Sequence, residues 1–134
     1  MPIDAQRVLS SPPVVTESSW SCDDVILYHL GLGAGLTRVD DTERRYIHEN
    51  HLRVLPSFAT IATYEAFMLE EIAGFDVDPN LILHGEQSVA IHHPTPTRGS
   101  VKNEMRVSSL YDKGKAALIG QTIESHDAAG NHLF

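Results

Sequence analysis

Leu81-Ile82-Leu83-His84-Gly85-Glu86-Gln87 is the stretch on which the reading of this chain turns. An apolar run enters it. A histidine, a carboxylate and an amide then flank a glycine that lets another group approach the backbone. Three polar side chains in four positions are costly inside a sheet, because each needs a hydrogen-bond partner. The pattern predicts a strand over residues 81–93 whose end faces a ligand.

Two more strands are expected downstream, over 100–111 and 115–125. Pro94-Thr95-Pro96-Thr97-Arg98-Gly99 and Asp112-Lys113-Gly114 suit antiparallel connections between them. Val101, Met105 and Val107 share one face of the middle strand, while Lys102, Glu104 and Arg106 share the other, as in a half-buried antiparallel strand. Asp127 to Asn131 reads as a turn, and His132-Leu133-Phe134 as the opening of a further strand.

Upstream, residues 1–13 are polar and end in Pro12-Pro13, which predicts an extended N-terminal segment ahead of one domain over 14–134. Val14 to Trp20 reads as an edge strand. Ser21 and Asp24 have the spacing of a capping box, and Val25 to Leu30 a short helix. Gly31, Gly33 and Gly35 stop that helix; a phosphate loop needs a strand before its glycines and a helix after them, the reverse of the order here. Arg44 to Glu49 suggests a second strand. Ala59 to Ile72 has helix-forming composition, with Tyr64, Phe67, Met68 and Ile72 near a 3-to-4 spacing.

Bulk properties narrow the function classes. The 134 residues suit one domain with a single core. Ten Lys plus Arg against 18 Asp plus Glu leave a net charge of −8, which argues against nucleic acid as a partner. A local basic group remains: Arg98, Lys102, Arg106, Lys113 and Lys115 fall close together, and no Lys or Arg follows them. No apolar stretch reaches the roughly 18–20 residues that span a bilayer, so no membrane association is expected. Met1-Pro2-Ile3-Asp4 lacks the basic flank and apolar core of a secretory signal. Cys22 is the sole cysteine and excludes an internal disulfide. His48-x-x-His51 and His92-His93 lack the spacing and partners of familiar zinc sites, so no metal is expected.

Five ordered blocks resemble a known family: Asp24-Val25-Ile26-Leu27-Tyr28-x-Leu30-Gly31-x-Gly33-Ala34-Gly35, Val54-Leu55-Pro56-Ser57-Phe58, Leu83-His84-Gly85-Glu86-Gln87, Pro94-x-Pro96-x-Arg98-Gly99 and Leu110-Tyr111-Asp112-Lys113-Gly114. From about Val15 to Phe134 the chain is similar to the N-terminal half of the MaoC-like 2-enoyl-CoA hydratase 2 family, which includes the hydratase part of peroxisomal multifunctional enzyme type 2. The resemblance implies an α+β hot-dog fold, an antiparallel sheet with short helices that is incomplete without a partner hot-dog half. That partner is a second half or subunit, in a homo- or hetero-oligomer. The implied reaction adds water to a trans-2-enoyl-CoA to give the (R)-3-hydroxyacyl-CoA.

In that family the catalytic Asp and His lie in the other half, within Gly-Asp-x-Asn-Pro-x-His. No such motif occurs here, so no catalytic residue is assigned to this chain. By resemblance, His84 and Gly85 line the acyl-CoA site and Lys113 contacts coenzyme A, which enters as part of the substrate; no other cofactor is implied. Glu49 matches a carboxylate of a Tyr-x-Glu-like strand. Glu86 and Gln87 are expected to be structural hydrogen-bond partners. The apolar segment 55–72 reads either as part of an acyl pocket or as plain core. The implied location is the cytoplasm of a bacterium, or the peroxisome of a eukaryote. Two other readings are a non-catalytic acyl-CoA-binding or scaffold subunit, and a hot-dog thioesterase with Glu86 over the thioester.

Overall fold

Alternation along the middle strand organises the molecule. The computed structural model describes residues 3–37, 40–67 and 69–134. A three-stranded antiparallel sheet runs in the order β1 (Val14–Trp20), β2 (Gly99–Asp112), β3 (Ala117–His126). Val14 pairs with Met105 and Trp20 with Gly99 on one side of β2, and Lys102 pairs with His126 and Asp112 with Ala117 on the other. The register shifts at a bulge between Val107 and Ser109.

The inward face of β2 carries Val101, Asn103, Met105 and Val107, all buried. The helical segments lie against that face and divide the core in two. Toward the Gly99 end, Val101 joins Trp20, Val25, Leu52, Phe58, Ala59, Ala62, Leu133 and Phe134. Toward the hairpin, Met105 and Val107 join Ile3, Val8, Leu69, Ile72 and Phe75. Asn103 sits between these clusters. Its amide donates to Ser18 Oγ (2.8 Å), and its Oδ1 accepts from Ser125 Oγ (2.6 Å), so one polar rung crosses all three strands. A buried amide is tolerated because both of its ends are satisfied.

Local chemistry explains the helices. The lead-in is not extended throughout: Ala5–Leu9 forms α1, capped where Asp4 Oδ1 accepts the Arg7 N–H (3.1 Å), and Val8 is buried in the second cluster. Helix α2 (Cys22–Gly31) begins with the expected capping box. Asp24 Oδ2 accepts from the Ser21 N–H (2.7 Å) and hydroxyl (2.7 Å), while Ser21 Oγ accepts the Asp24 N–H (3.3 Å). These bonds, the Ser21 backbone bond foremost, hold the Asp24 carboxyl below its ordinary pKa.

A carboxyl whose pKa is depressed on folding stabilises the fold above its unfolded pKa and loses that effect as pH falls through the folded one. Asp24→Asn is therefore expected to be less stable than the parent at neutral pH, with the gap closing in acid. Urea midpoints measured across that range check it; a gap independent of pH would contradict the assignment.

Three expectations are corrected. Arg44 to Glu49 is not a strand. Asp40 Oδ1 accepts the N–H groups of Thr42 (2.9 Å) and Glu43 (3.0 Å), which curls the chain into α3 (Arg44–Ile47), and Glu49 follows in a bend. The segment 59–72 is not one helix. It breaks after α4 (Ala59–Ala62), where the Thr63 hydroxyl turns back to Ala59 O (3.0 Å), and continues as 3-10 turns at Tyr64–Ala66 and Leu69–Glu71. Its buried positions among the described residues are Ala59, Ala62, Thr63, Ala66, Leu69 and Ile72, while Tyr64 is exposed; Met68 lies outside the described residues. Residues 82–91 form no strand. Among the described residues no strand pairs with them.

Candidate functional site

The residues expected at a ligand site stand on two separate features. His84 and Gly85 lie in the unpaired 82–91 segment, both exposed. The His84 ring meets the Glu86 carbonyl through Nε2 (3.1 Å) and tilts toward Phe67 at 6.1 Å between centroids. A Cβ built on Gly85 would meet nothing within 4 Å, so its backbone is open to approach. Glu86 and Gln87 are exposed and make no side-chain hydrogen bond among the described residues, which corrects the expectation of structural partners.

Lys113 occupies the tip of the β2–β3 hairpin. Asp112 Oδ1 accepts the Gly114 N–H (2.7 Å), Lys113 N–H donates to Ala116 O (2.8 Å), and Gly114 takes φ +79°, a conformation that favours glycine. The Lys113 ammonium sits 5.8 Å from the Tyr111 ring centroid, and no carboxylate among the described residues pairs with it. The structure forms no contact between Lys113 and His84.

Two surface grooves accompany these residues, and neither is lined by His84, Gly85 or Lys113. One, of about 380 Å³, runs over Ile61, Ala62, Tyr64 and Glu65 beside Ser18. It lies on the segment read as pocket or core. The other, of about 470 Å³, lies between Leu52–Pro56 and Pro94–Thr97, with Ile91 at its wall. The Thr95 hydroxyl is buried there without a hydrogen-bond partner. Trp20 Nε1–H holds this loop by donating to Pro96 O (2.9 Å), and Gly99 leaves room for the Trp20 ring, which a Cβ would approach to 3.2 Å.

The other motifs resolve into structure. Gly33 and Gly35 take φ +100° and +77° at the end of α2, and Gly35 N–H donates to Glu43 Oε2 (2.8 Å). An internal carboxylate thus takes a glycine-loop amide. Cys22 is half-buried at the start of α2, with Arg98 Nη2 donating to its sulfur (3.4 Å). His48 Nδ1 accepts the Asn50 N–H (3.1 Å).

Sequence reasoning passed over two buried polar residues. His29 is fully buried on the inner side of α2, four residues after Val25. Its Nε2 accepts the Leu55 N–H (3.2 Å), so the proton sits on Nδ1, which donates to Tyr46 O (2.8 Å). The signal was its i, i+4 spacing from Val25. Asn103 gave a similar one, standing in phase with Val101 and Met105.

The fold and the sequence both have relatives. A MaoC-like dehydratase from Phytophthora capsici superposes with a TM-score of 0.77 at 24% identity, over 98% of this chain and 46% of that one. Full-length peroxisomal multifunctional enzyme type 2 from Drosophila melanogaster superposes at 0.76 and 26% identity, over 90% of this chain and 21% of that one. The fold is the hot-dog. Enoyl-CoA hydratase ChsH3 of Mycobacterium tuberculosis is 37% identical, over 89% of this chain and 43% of its own length. The peroxisomal enoyl-CoA hydratase 2 of Arabidopsis thaliana is 33% identical, over 89% of this chain and 40% of its own. This chain therefore spans less than half the length of these curated relatives. The family model described as MFE-2 hydratase 2 N-terminal domain matches residues 19–134, and with a hot-dog sheet bearing the five blocks in order, the chain belongs to that family.

Proposed function

We propose that this chain is the substrate-binding half of an (R)-specific 2-enoyl-CoA hydratase, with the catalytic Asp and His supplied by a second hot-dog half. One observation carries the reading: the N-terminal-domain match runs over residues 19–134, while Gly-Asp-x-Asn-Pro-x-His is missing from the sequence. Hydration of a thioester-conjugated alkene needs a base for water, an acid for the α-carbon and donors for the enolate-like oxygen. The thioester activates its own alkene, so the reaction calls for no metal or redox cofactor.

What falls to this half is holding the substrate and keeping water out. Gly85 offers unobstructed backbone and His84 one ring nitrogen beside it. Lys113 offers a point charge to a phosphate of coenzyme A. The groove over Ile61, Ala62 and Tyr64 supplies an apolar wall for the acyl chain. The exposure of His84 and Gly85 fits a site closed by the second half.

The test is hydration of crotonyl-CoA and decenoyl-CoA by this chain, by a hot-dog half carrying Gly-Asp-x-Asn-Pro-x-His, and by the mixture. Turnover is expected in the mixture alone, at least about 100-fold above either part. Hydration by this chain unaided would overturn the reading. Coenzyme A released by the chain alone would replace it with a thioesterase, and binding without turnover in any mixture with a scaffold. In the active mixture, Lys113→Ala is expected to raise KM by about 3- to 5-fold with kcat unchanged, because an exposed charge on the coenzyme A phosphate serves ground and transition states equally. An unchanged KM would remove Lys113 from the site.

A further inference from the structure

The corner between Leu52–Pro56 and Pro94–Thr97 holds the groove of about 470 Å³ that none of His84, Gly85 and Lys113 lines. Its volume falls within the range of small-molecule pockets. Its walls are set before any ligand arrives. Pro56, Pro94 and Pro96 each fix their own backbone angle. Trp20 Nε1–H donates to Pro96 O (2.9 Å), and His92 N–H to Leu133 O (2.9 Å), on either side of Pro94. On the facing wall, Leu55 N–H is tied to His29 Nε2 (3.2 Å) and Arg53 N–H to Arg45 O (2.7 Å). The groove lies at the Gly99 end of the sheet. His132 to Phe134 run the other way, toward the β2–β3 hairpin, since His132 bridges His126 and Phe134 O accepts from Ser125 N–H.

Two polar side chains on these walls have no partner. Arg53 is exposed, and no carboxylate among the described residues pairs with it or with Arg45. Glu49, the acid nearest to Arg53 in sequence, lies 3.5 Å from His48 Nδ1 instead. A chain of net charge −8 thus keeps an unpaired guanidinium at this groove. The Thr95 hydroxyl is buried without a hydrogen bond, a costly state for a polar group. Because it makes no bond where it lies, one staggered step in χ1 forfeits none and turns it to the groove. The rest of the lining, from Val54, Ile91 and the prolines, is apolar. One cation, one spare hydroxyl and an apolar trough match a carboxylate on a short apolar body.

We propose that this groove binds a free medium-chain carboxylate. Its head accepts from the Arg53 guanidinium and the Thr95 hydroxyl, and its tail lies along Val54, Ile91 and Pro94. The planar guanidinium matches the two oxygens of a carboxylate. The ligand is the free acid and not an acyl thioester, whose uncharged carbonyl draws far less on Arg53. The site is separate from His84, Gly85 and Lys113, and it does not rest on the hydratase reading.

Equilibrium dialysis of the intact chain against decanoate tests it, with emission from Trp20, the sole tryptophan, locating the site beside Pro96. One saturable site is expected, half-filled below about 1 mM, with a matching change in emission. Decan-1-ol, which lacks the charge, is expected to bind at least about tenfold more weakly, and Arg53→Gln to weaken decanoate by a similar factor. Thr95→Val keeps the shape and is expected to weaken decanoate about threefold while leaving the urea midpoint no lower, since the lost hydroxyl had no partner. Absence of saturable binding, binding without a Trp20 response, equal binding of decanol, or unchanged affinity in Arg53→Gln would each overturn the site. So would loss of decanoate binding on adding a hot-dog half that carries Gly-Asp-x-Asn-Pro-x-His, which would make the groove an interface. No acyl-CoA enters the experiment, so its failure is distinct from a failure of the hydration assay.

Discussion

Replacing His29 with leucine is expected to lower the unfolding free energy by about 3 kcal/mol, although the new side chain is apolar and of similar bulk. The imidazole is fully buried. It accepts from Leu55 N–H and donates to Tyr46 O, joining α2 to α3 and to the 3-10 turn that carries Phe58 into the core. Leucine makes neither bond. Two main-chain groups in a partly buried corner are then left without partners, each at about 1–3 kcal/mol. The urea midpoint should fall with little change in m-value. His29→Gln, which keeps a donor and an acceptor, should lose less. A leucine variant within about 1 kcal/mol of the parent would mean that water replaces both bonds.

The second large effect is expected at Asn103. Asn103→Ala removes the amide that joins Ser18 on β1 to Ser125 on β3, and it leaves the buried Ser125 hydroxyl without its acceptor. The broken hydrogen bonds and the small cavity together should cost about 3 kcal/mol. A double-mutant cycle with Ser125→Ala separates the two contributions. If the rung behaves as a unit, the double variant should be at least about 1 kcal/mol more stable than the sum of the single losses predicts. Strict additivity would show that the 2.6 Å hydrogen bond adds nothing beyond its parts.

Much of the fold was legible in the chain because its signals are local. The period-two alternation of Val101, Met105 and Val107 needs no knowledge of the partner strands to predict a half-buried strand, and β2 and β3 lie where turn residues bound them. The Ser21–Asp24 spacing specified the start of α2 by itself, since a capping box closes within four residues. The glycines after α2 announced its end for the same reason.

The misreadings share a cause. Arg44 to Glu49 has strand-like composition, but the Asp40 side chain captures two amides and turns the backbone into α3. The segment 59–72 has helical composition, but contact with the sheet selects Ala62, Ala66 and Leu69 as its buried side and breaks it into short turns. At 81–93 the pattern is a strand's, yet a strand exists only where a neighbour supplies hydrogen bonds. Among the described residues, backbone bonds of that kind form only at its end, from His92 and His93 to Leu133 O. His84 and Gly85 were singled out by chemistry and family likeness, and their surroundings depend on what covers that edge.

By itself, then, the amino-acid order determined the alternation, the caps, the turns and the family, because each is written in residues a few positions apart or in a string of blocks. Only the tertiary structure decided that His29 and Asn103 would be buried and satisfied, that Lys113 would sit on a hairpin tip away from His84, and that one row of apolar residues would lie unpaired. The physical reason is that burial and strand pairing depend on groups distant in sequence. Leu55 N–H must arrive at the His29 ring from 26 positions away, and Ser18 at Asn103 from 85.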